Sequence, residues 1–371
     1  MTNKERVISI LNYKPYDRMP VVSFGYWNET LEKWHNEGYV TKDEWHEYGV
    51  LGDYSPADKS VMEKLGFDFN WISCCSGGNT LLNPCFEEKV LEKYPDGKVK
   101  KIDSLGLIVI VKEGICCIPA EVGHTLTDRK SWEELYLPKL QYSDDRIDFK
   151  AVRSLEQNGD LPLGLHCGSL MGQIRNMMGV EGLSYLYADD EDLYKEIVDT
   201  VGDLCYRVAE RILQEGIRFD FAHFWEDICF KNGPLVVPRV FNELAGPHYK
   251  RISDLLHSHG INIVSVDCDG MIDSLIPAWL NNGVNTMFPI EVGTWNASIV
   301  PWREQYGKEL RGVGGMNKRV FSYDRDAVDK EVARLKELVQ LGGFIPCPDH
   351  RIPPDAKFEL VQYYCEKMRE V

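Results

Sequence analysis

Short apolar runs alternate along this chain with longer stretches in which apolar residues recur every three or four positions. Eight runs read as strands: Met19 to Phe24, Phe69 to Ser73, Pro162 to His166, Phe219 to Phe224, Ile261 to Val266, Thr286 to Pro289, Leu310 to Val313 and Gly343 to Pro346. The segments between them carry helical spacing. In Asp326 to Leu341, Val328, Val332, Leu335 and Val339 fall on one face, and Gly342-Gly343 closes the helix. Strands alternating with helices predict βα units and a parallel sheet. Eight such units predict closure into a TIM-type (β/α)8 barrel, the competing arrangement being an open doubly wound sheet. No repeat, low-complexity segment or linker marks a boundary, so residues 1–371 are read as a single domain.

One region breaks the alternation. Phe86 to Val122 shows period-two stretches with turn signals at Pro95-Asp96-Gly97 and Glu113-Gly114. It reads as a β-hairpin insertion, residues 86–122, after the second strand. Such an insertion either roofs the face where the strands end or stands as a solvent-facing flap.

Composition narrows the function classes. With 44% hydrophobic and 27% charged residues, the 371-residue chain has material for a large core. No apolar stretch approaches a membrane span, and the first twenty residues lack the apolar core of a secretory signal. The eleven cysteines form no regular framework and read as reduced thiols, so a cytoplasmic location is expected. A formal charge of -16 argues against nucleic acid and anionic membranes as partners and leaves a small-molecule substrate open.

In a barrel the chemistry sits at the carboxyl ends of the strands. Tyr26 and Trp27 follow the first run, and Trp71 ends the second. His166-Cys167 close the third, and His223-Phe224-Trp225-Glu226-Asp227 the fourth. Asp267-Cys268-Asp269-Gly270 follow the fifth, Glu291 the sixth, Asn317-Lys318 the seventh, and Cys347, Asp349, His350 and Arg351 the last. Asp267 and Asp269 point one way on an extended segment, with Cys268 turned into the packing. With His350 they form a candidate divalent-metal set, the alternative being carboxylates that bind substrate or cap the following helix. Asp267, Asp269, Glu226 and His350 are the candidate catalytic residues. Glu226 and Asp227 read equally well as a salt bridge with a residue such as Lys231. Tyr26, Trp27, Trp71, His166, Trp225 and Glu291 are candidate substrate contacts, the aromatics suiting a flat ligand. His223, His248, His257 and His259 carry no motif and read as surface or packing residues.

The stretch FDFAHFWEDICFKNGPLVVPRVFNELAGPHY resembles the uroporphyrinogen decarboxylase-like superfamily, as do VDCDGMIDSLIPAWLNNGVNTMFPIEVG and GGFIPCPDHRIPPD. DRMPV and Gly314 to Lys318 fit as well, and the likeness spans nearly the whole chain. The resemblance implies a TIM-type barrel and two activities. One is decarboxylation of uroporphyrinogen, for which the family carries an Arg-rich segment after strand one. Here that place reads VVSFGYWNETLEKW, without arginine. The other is methyl transfer with a corrinoid (cobalamin) protein as partner. That branch holds zinc through a His-x-Cys pair and a distal Cys, at whose positions stand Asp267, Asp269 and His350. The departure weakens a thiol acceptor and the zinc. The resemblance therefore implies a demethylating methyltransferase that moves methyl from a small molecule, such as an aromatic methyl ether, to a corrinoid protein. A decarboxylase or other lyase of a smaller carboxylate is the alternative.

Overall fold

The computed structural model describes residues 1–112, 119–155 and 159–371. Its strands, in chain order, begin with β1 (Val22–Ser23), β2 (Phe69–Asn70) and β3 (Cys75–Gly77). Then come β4 (Lys89–Lys93), β5 (Lys98–Ile102), β6 (Leu107–Lys112) and β7 (Ala120–His124). The remainder are β8 (Gly164–His166), β9 (Phe221–Trp225), β10 (Cys229–Phe230), β11 (Gly233–Pro234), β12 (Val264–Asp267), β13 (Thr286–Phe288), β14 (Arg311–Met316) and β15 (Phe344–Pro348).

The fold is α/β around parallel pairing. One sheet runs β15-β14-β13-β12-β9-β8-β3, every neighbour parallel, and β1 pairs parallel with β2. The second predicted strand is split: β2 and β3 flank a turn at Ile72–Cys74, the first half pairing with β1 and the second with β8. Beyond β15, Ile352 bridges to Tyr26 beyond β1, with Ile352 N–H donating to the Gly25 carbonyl at 3.0 Å. Each predicted run holds a strand, but four strands extend past the run's end. Pairing carries on into Trp225, Asp267, Met316 and Pro348, where apolar patterning has already stopped. Main-chain pairing thus carries the buried Asp267 to the end of β12.

Helices form where the pattern placed them. Arg325–Val339 begins at Asp324, whose side chain accepts from Ala327 N–H at 2.9 Å, and it buries Val328, Val332, Leu335 and Val339. Gly342 takes a left-handed φ of 63° just past its end. The helix Glu191–Leu213 buries Ile197, Val201, Leu204, Val208 and Ile212 at the same spacing. Among the described residues no helix is long and apolar enough to cross a membrane.

The strands β4, β5, β6 and β7 form a four-stranded antiparallel sheet in that order. The Asp96-Gly97 turn joins β4 to β5, while Glu113-Gly114 lies outside the described residues. β7 packs on the helix Met171–Asp189. There a Cβ at Gly182 would fall 2.6 Å from the His124 imidazole, so the close approach requires glycine.

Candidate active site

At the carboxyl ends of the parallel strands lies a cavity of about 220 Å³. Its walls are Phe24, Tyr54, Ile72, His166, His223, Trp225, Asp227, Asp267, Asp269, His350 and Arg351. The alternation along each strand selects these residues. On β9, Phe221, His223 and Trp225 share the inner face, and on β12 Ser265 and Asp267 do. A larger hollow of about 510 Å³ beside the helix Glu191–Leu213 is lined by surface ion-pairing residues such as Lys195 and Asp199, away from the strand ends.

Asp267 is buried, and among the described residues its carboxylate accepts no hydrogen bond. Burial, then the neighbouring charges of Asp269 and Asp227, push its pKa well above the usual carboxylate range, with Arg351 opposing. The shift favours the neutral acid, the form that can give a proton. Asp269 Oδ2 lies 3.1 Å from His350 Nε2, and its Oδ1 is buried without a partner. Asp227, at a positive φ of 48°, pairs with Arg175 at 3.2 Å and is itself raised by burial. The second cation is also committed: Arg351 binds Asp53, and its Nη1 lies 3.1 Å from the Tyr48 hydroxyl. Gly25 makes room for that network, since a Cβ there would stand 2.6 Å from Asp53 Oδ1 and 2.8 Å from Arg351 Nη1. The cavity therefore presents acids, and its arginines are already neutralised.

Other expected site residues fall elsewhere. Glu226 is fully buried on the outer face of β9, where its carboxylate accepts Leu170 and Gly172 N–H at 2.8 Å and the Tyr249 hydroxyl. It caps the start of the helix Met171–Asp189 and turns away from the cavity, because period two places it opposite Trp225. Lys231 is not its partner. Trp71 is buried beneath the site, stacked on Phe221 at 4.5 Å. The Tyr26 ring packs on Trp34 and Tyr48, because the left-handed Gly25 breaks the alternation that Phe24 begins. Trp27 stacks on His350 at 5.6 Å, at the mouth. Glu291 accepts Gly270 N–H at 2.6 Å and the Thr294 hydroxyl at 2.7 Å, and so holds the loop that carries Asp269. His166 and Trp225 line the cavity, and Cys347 is a buried thiol.

His223, read from the sequence as packing, lines the cavity beside His166, their ring centres 6.0 Å apart. Its signal was its place two residues before Trp225 on one strand face. Burial holds the His166 imidazole down to about 4; burial and the nearby His166 hold His223 down to about 3. Both are neutral at pH 7. An unfolded His223 takes up a proton near its ordinary 6.5 that the native state refuses, so its contribution to stability falls as pH drops from 6.5 toward 3. Between pH 7 and pH 5 the wild type should lose about 2 kcal/mol relative to His223→Gln in urea unfolding.

Zinc finds no site of the expected kind. Asp267, Asp269 and His350 line one cavity, but among the described residues no three His, Cys, Asp or Glu side chains converge as a metal-holding group. His350 orients Asp269, while the charge nearest in effect to Asp267 that favours its ionised form is Arg351.

Residues 102–371 match the family described as Uroporphyrinogen decarboxylase (URO-D). The chain belongs to the uroporphyrinogen decarboxylase family. A solved methyltransferase from Methanosarcina mazei has a similar fold, with a TM-score of 0.64 at 14% identity over 100% of this chain and 99% of that one. A B12-independent methionine synthase from Shewanella sp. W3-18-1 aligns over 95% of this chain and 98% of its own at 10% identity, with a TM-score of 0.47, too low to carry an argument. No curated protein sequence matches. The lining of this cavity is acidic, with Asp227, Asp267 and Asp269 on its walls. A substrate with eight carboxylates would meet Asp227, Asp267 and Asp269 with no uncommitted arginine to receive it.

Proposed function

We propose that this chain is a single-domain (β/α)8-barrel enzyme that takes a methyl group from a small uncharged methyl ether and delivers it to a corrinoid carried by a partner protein. The observation that carries the reading is a buried Asp267 set beside Asp269 and Asp227 in one small cavity, surroundings that favour its neutral form. A cavity of about 150 Å³ already holds benzene, so about 220 Å³ suits one substituted aromatic ring and not a tetrapyrrole. Phe24, Ile72 and Trp225 supply apolar walls, and Arg175 lies over the Trp225 ring at 5.8 Å.

Cleaving an ether leaves its electron pair on oxygen, and an alkoxide or phenoxide departs poorly without a proton. Asp267 gives that proton as the oxygen–methyl bond breaks, and the methyl carbon passes to the acceptor. The corrinoid, when its carrier docks, supplies the electron-rich cobalt that accepts the methyl group. The resulting Asp267 carboxylate is stabilised by the Arg351 guanidinium, which already acts on it across the cavity. Asp269, oriented by His350, and Glu291, which holds the Asp269 loop, keep Asp267 in its neutral form between turnovers.

The test incubates the protein with a reduced corrinoid and a panel of monocyclic methyl ethers. The expected result is the free hydroxyl compound together with methylation of the corrinoid, followed in its visible spectrum. Carbon dioxide from small carboxylates, with no methylation, would instead support the lyase reading that the family match leaves open.

A further inference from the structure

His166 and His223 present opposite hydrogen-bonding characters to the same cavity. The Gly168 amide, which can only donate, lies 3.1 Å from His166 Nδ1. That nitrogen is therefore the acceptor, and in a neutral ring the proton sits on Nε2. The Ser265 hydroxyl lies within hydrogen-bonding reach of both the Ala222 carbonyl, at 3.1 Å, and His223 Nδ1, at 2.6 Å. With the hydroxyl hydrogen on the carbonyl, His223 Nδ1 is the donor and a lone pair is left on its Nε2. Neither Nε2 has a partner among the described residues, and both rings line the cavity. Two imidazoles would ordinarily be free to adopt either tautomer. Here the Gly168 amide fixes the first, and the Ser265–Ala222 contact accommodates the opposite tautomer in the second.

We propose that the His166–His223 pair is a reader of a neutral hydroxyl group, binding a phenol-type substrate whose oxygen accepts from His166 Nε2–H and whose hydrogen goes to His223 Nε2. An oxygen bridging two hydrogen bonds of about 2.9 Å spans up to roughly 5.8 Å, in keeping with ring centres 6.0 Å apart. A carboxylate could satisfy His166 but would set its second lone pair against that of His223. An ammonium would do the reverse. Only a group that donates and accepts at one atom satisfies both. His166 pairs with His223, and Ser265 stands beside His223, one inward position below Asp267 on β12. The hydroxyl site is therefore the floor of the cavity, and the methyl-bearing oxygen stands above it near Asp267. This inference rests on the proposed function only in taking the cavity to be the substrate site, and it narrows the substrate class to hydroxylated aromatic methyl ethers.

The experiment compares phenol with toluene, of similar shape, by calorimetric titration of the full chain. Wild type should bind phenol about 30-fold more tightly than toluene, the combined effect of two hydrogen bonds. His223→Leu and His166→Leu should erase that preference, and His166→Gln, which keeps an N–H at the same place, should retain most of it. Nitrogen-15 NMR of the unmutated protein reads the tautomers without relying on any variant's folding. The expected pattern is a protonated Nε2 on His166 and a protonated Nδ1 on His223. Equal affinity for phenol and toluene in wild type, or a protonated Nδ1 on His166, would overturn the proposal. Methyl transfer enters none of these readouts, so their failure is separable from failure of the methyltransferase reading.

Discussion

Asp267→Asn is expected to lower methyl transfer by about 10²–10⁴-fold, the range that general acid catalysis supplies, while the protein folds at least as well as wild type. The stability half of the expectation follows from the site's electrostatics. Among the described residues Asp267 has no hydrogen-bond donor to lose, and its charge is disfavoured by burial and by Asp269 and Asp227. An isosteric amide removes the acid and leaves the shape. A fall in kcat with unchanged substrate affinity identifies a group that acts as the bond breaks. Loss of folding together with loss of rate would mean that Asp267 holds the structure instead.

Glu226→Ala should behave in the opposite way. Its carboxylate has no contact with solvent and receives two main-chain N–H groups and the Tyr249 phenol. Removing it strands those donors in the interior at the start of a helix, a cost of about 3–5 kcal/mol. Urea unfolding should show that loss, while the folded fraction keeps its turnover per molecule. A variant of undiminished stability that turns over 100-fold more slowly would return Glu226 to the chemistry.

These two acids show what the linear text carried and what it withheld. Asp267 was legible because it follows an apolar run on the face that its neighbour Ser265 also occupies. Glu226 looked equally acidic and equally well placed, yet the same period of two puts it with Ala222 and Phe224, facing the helices. Counting parity along β9 would have exchanged Glu226 for His223. Tyr26 escaped even that rule, because a left-handed Gly25 resets the alternation, and a backbone angle is not written in residue type. The parallel strands themselves were readable from apolar runs because both of their faces are buried. The network that ties Arg351 to Asp53 and Tyr48 was not, since it joins residues 298 and 303 positions apart. Nor could the hydrogen-bonding surroundings of the two histidines be foreseen, since they depend on Gly168, Ser265 and Ala222 meeting the rings in space.

The claim beneath the proposed chemistry is that an uncharged carboxyl waits at the end of β12 at neutral pH. Infrared difference spectra of wild type against Asp267→Asn at pH 7 address it directly. The account predicts a protonated-carboxyl carbonyl band in the wild type that the substitution removes. If the substitution removes only carboxylate bands, Asp267 is ionised at rest and cannot be the proton donor.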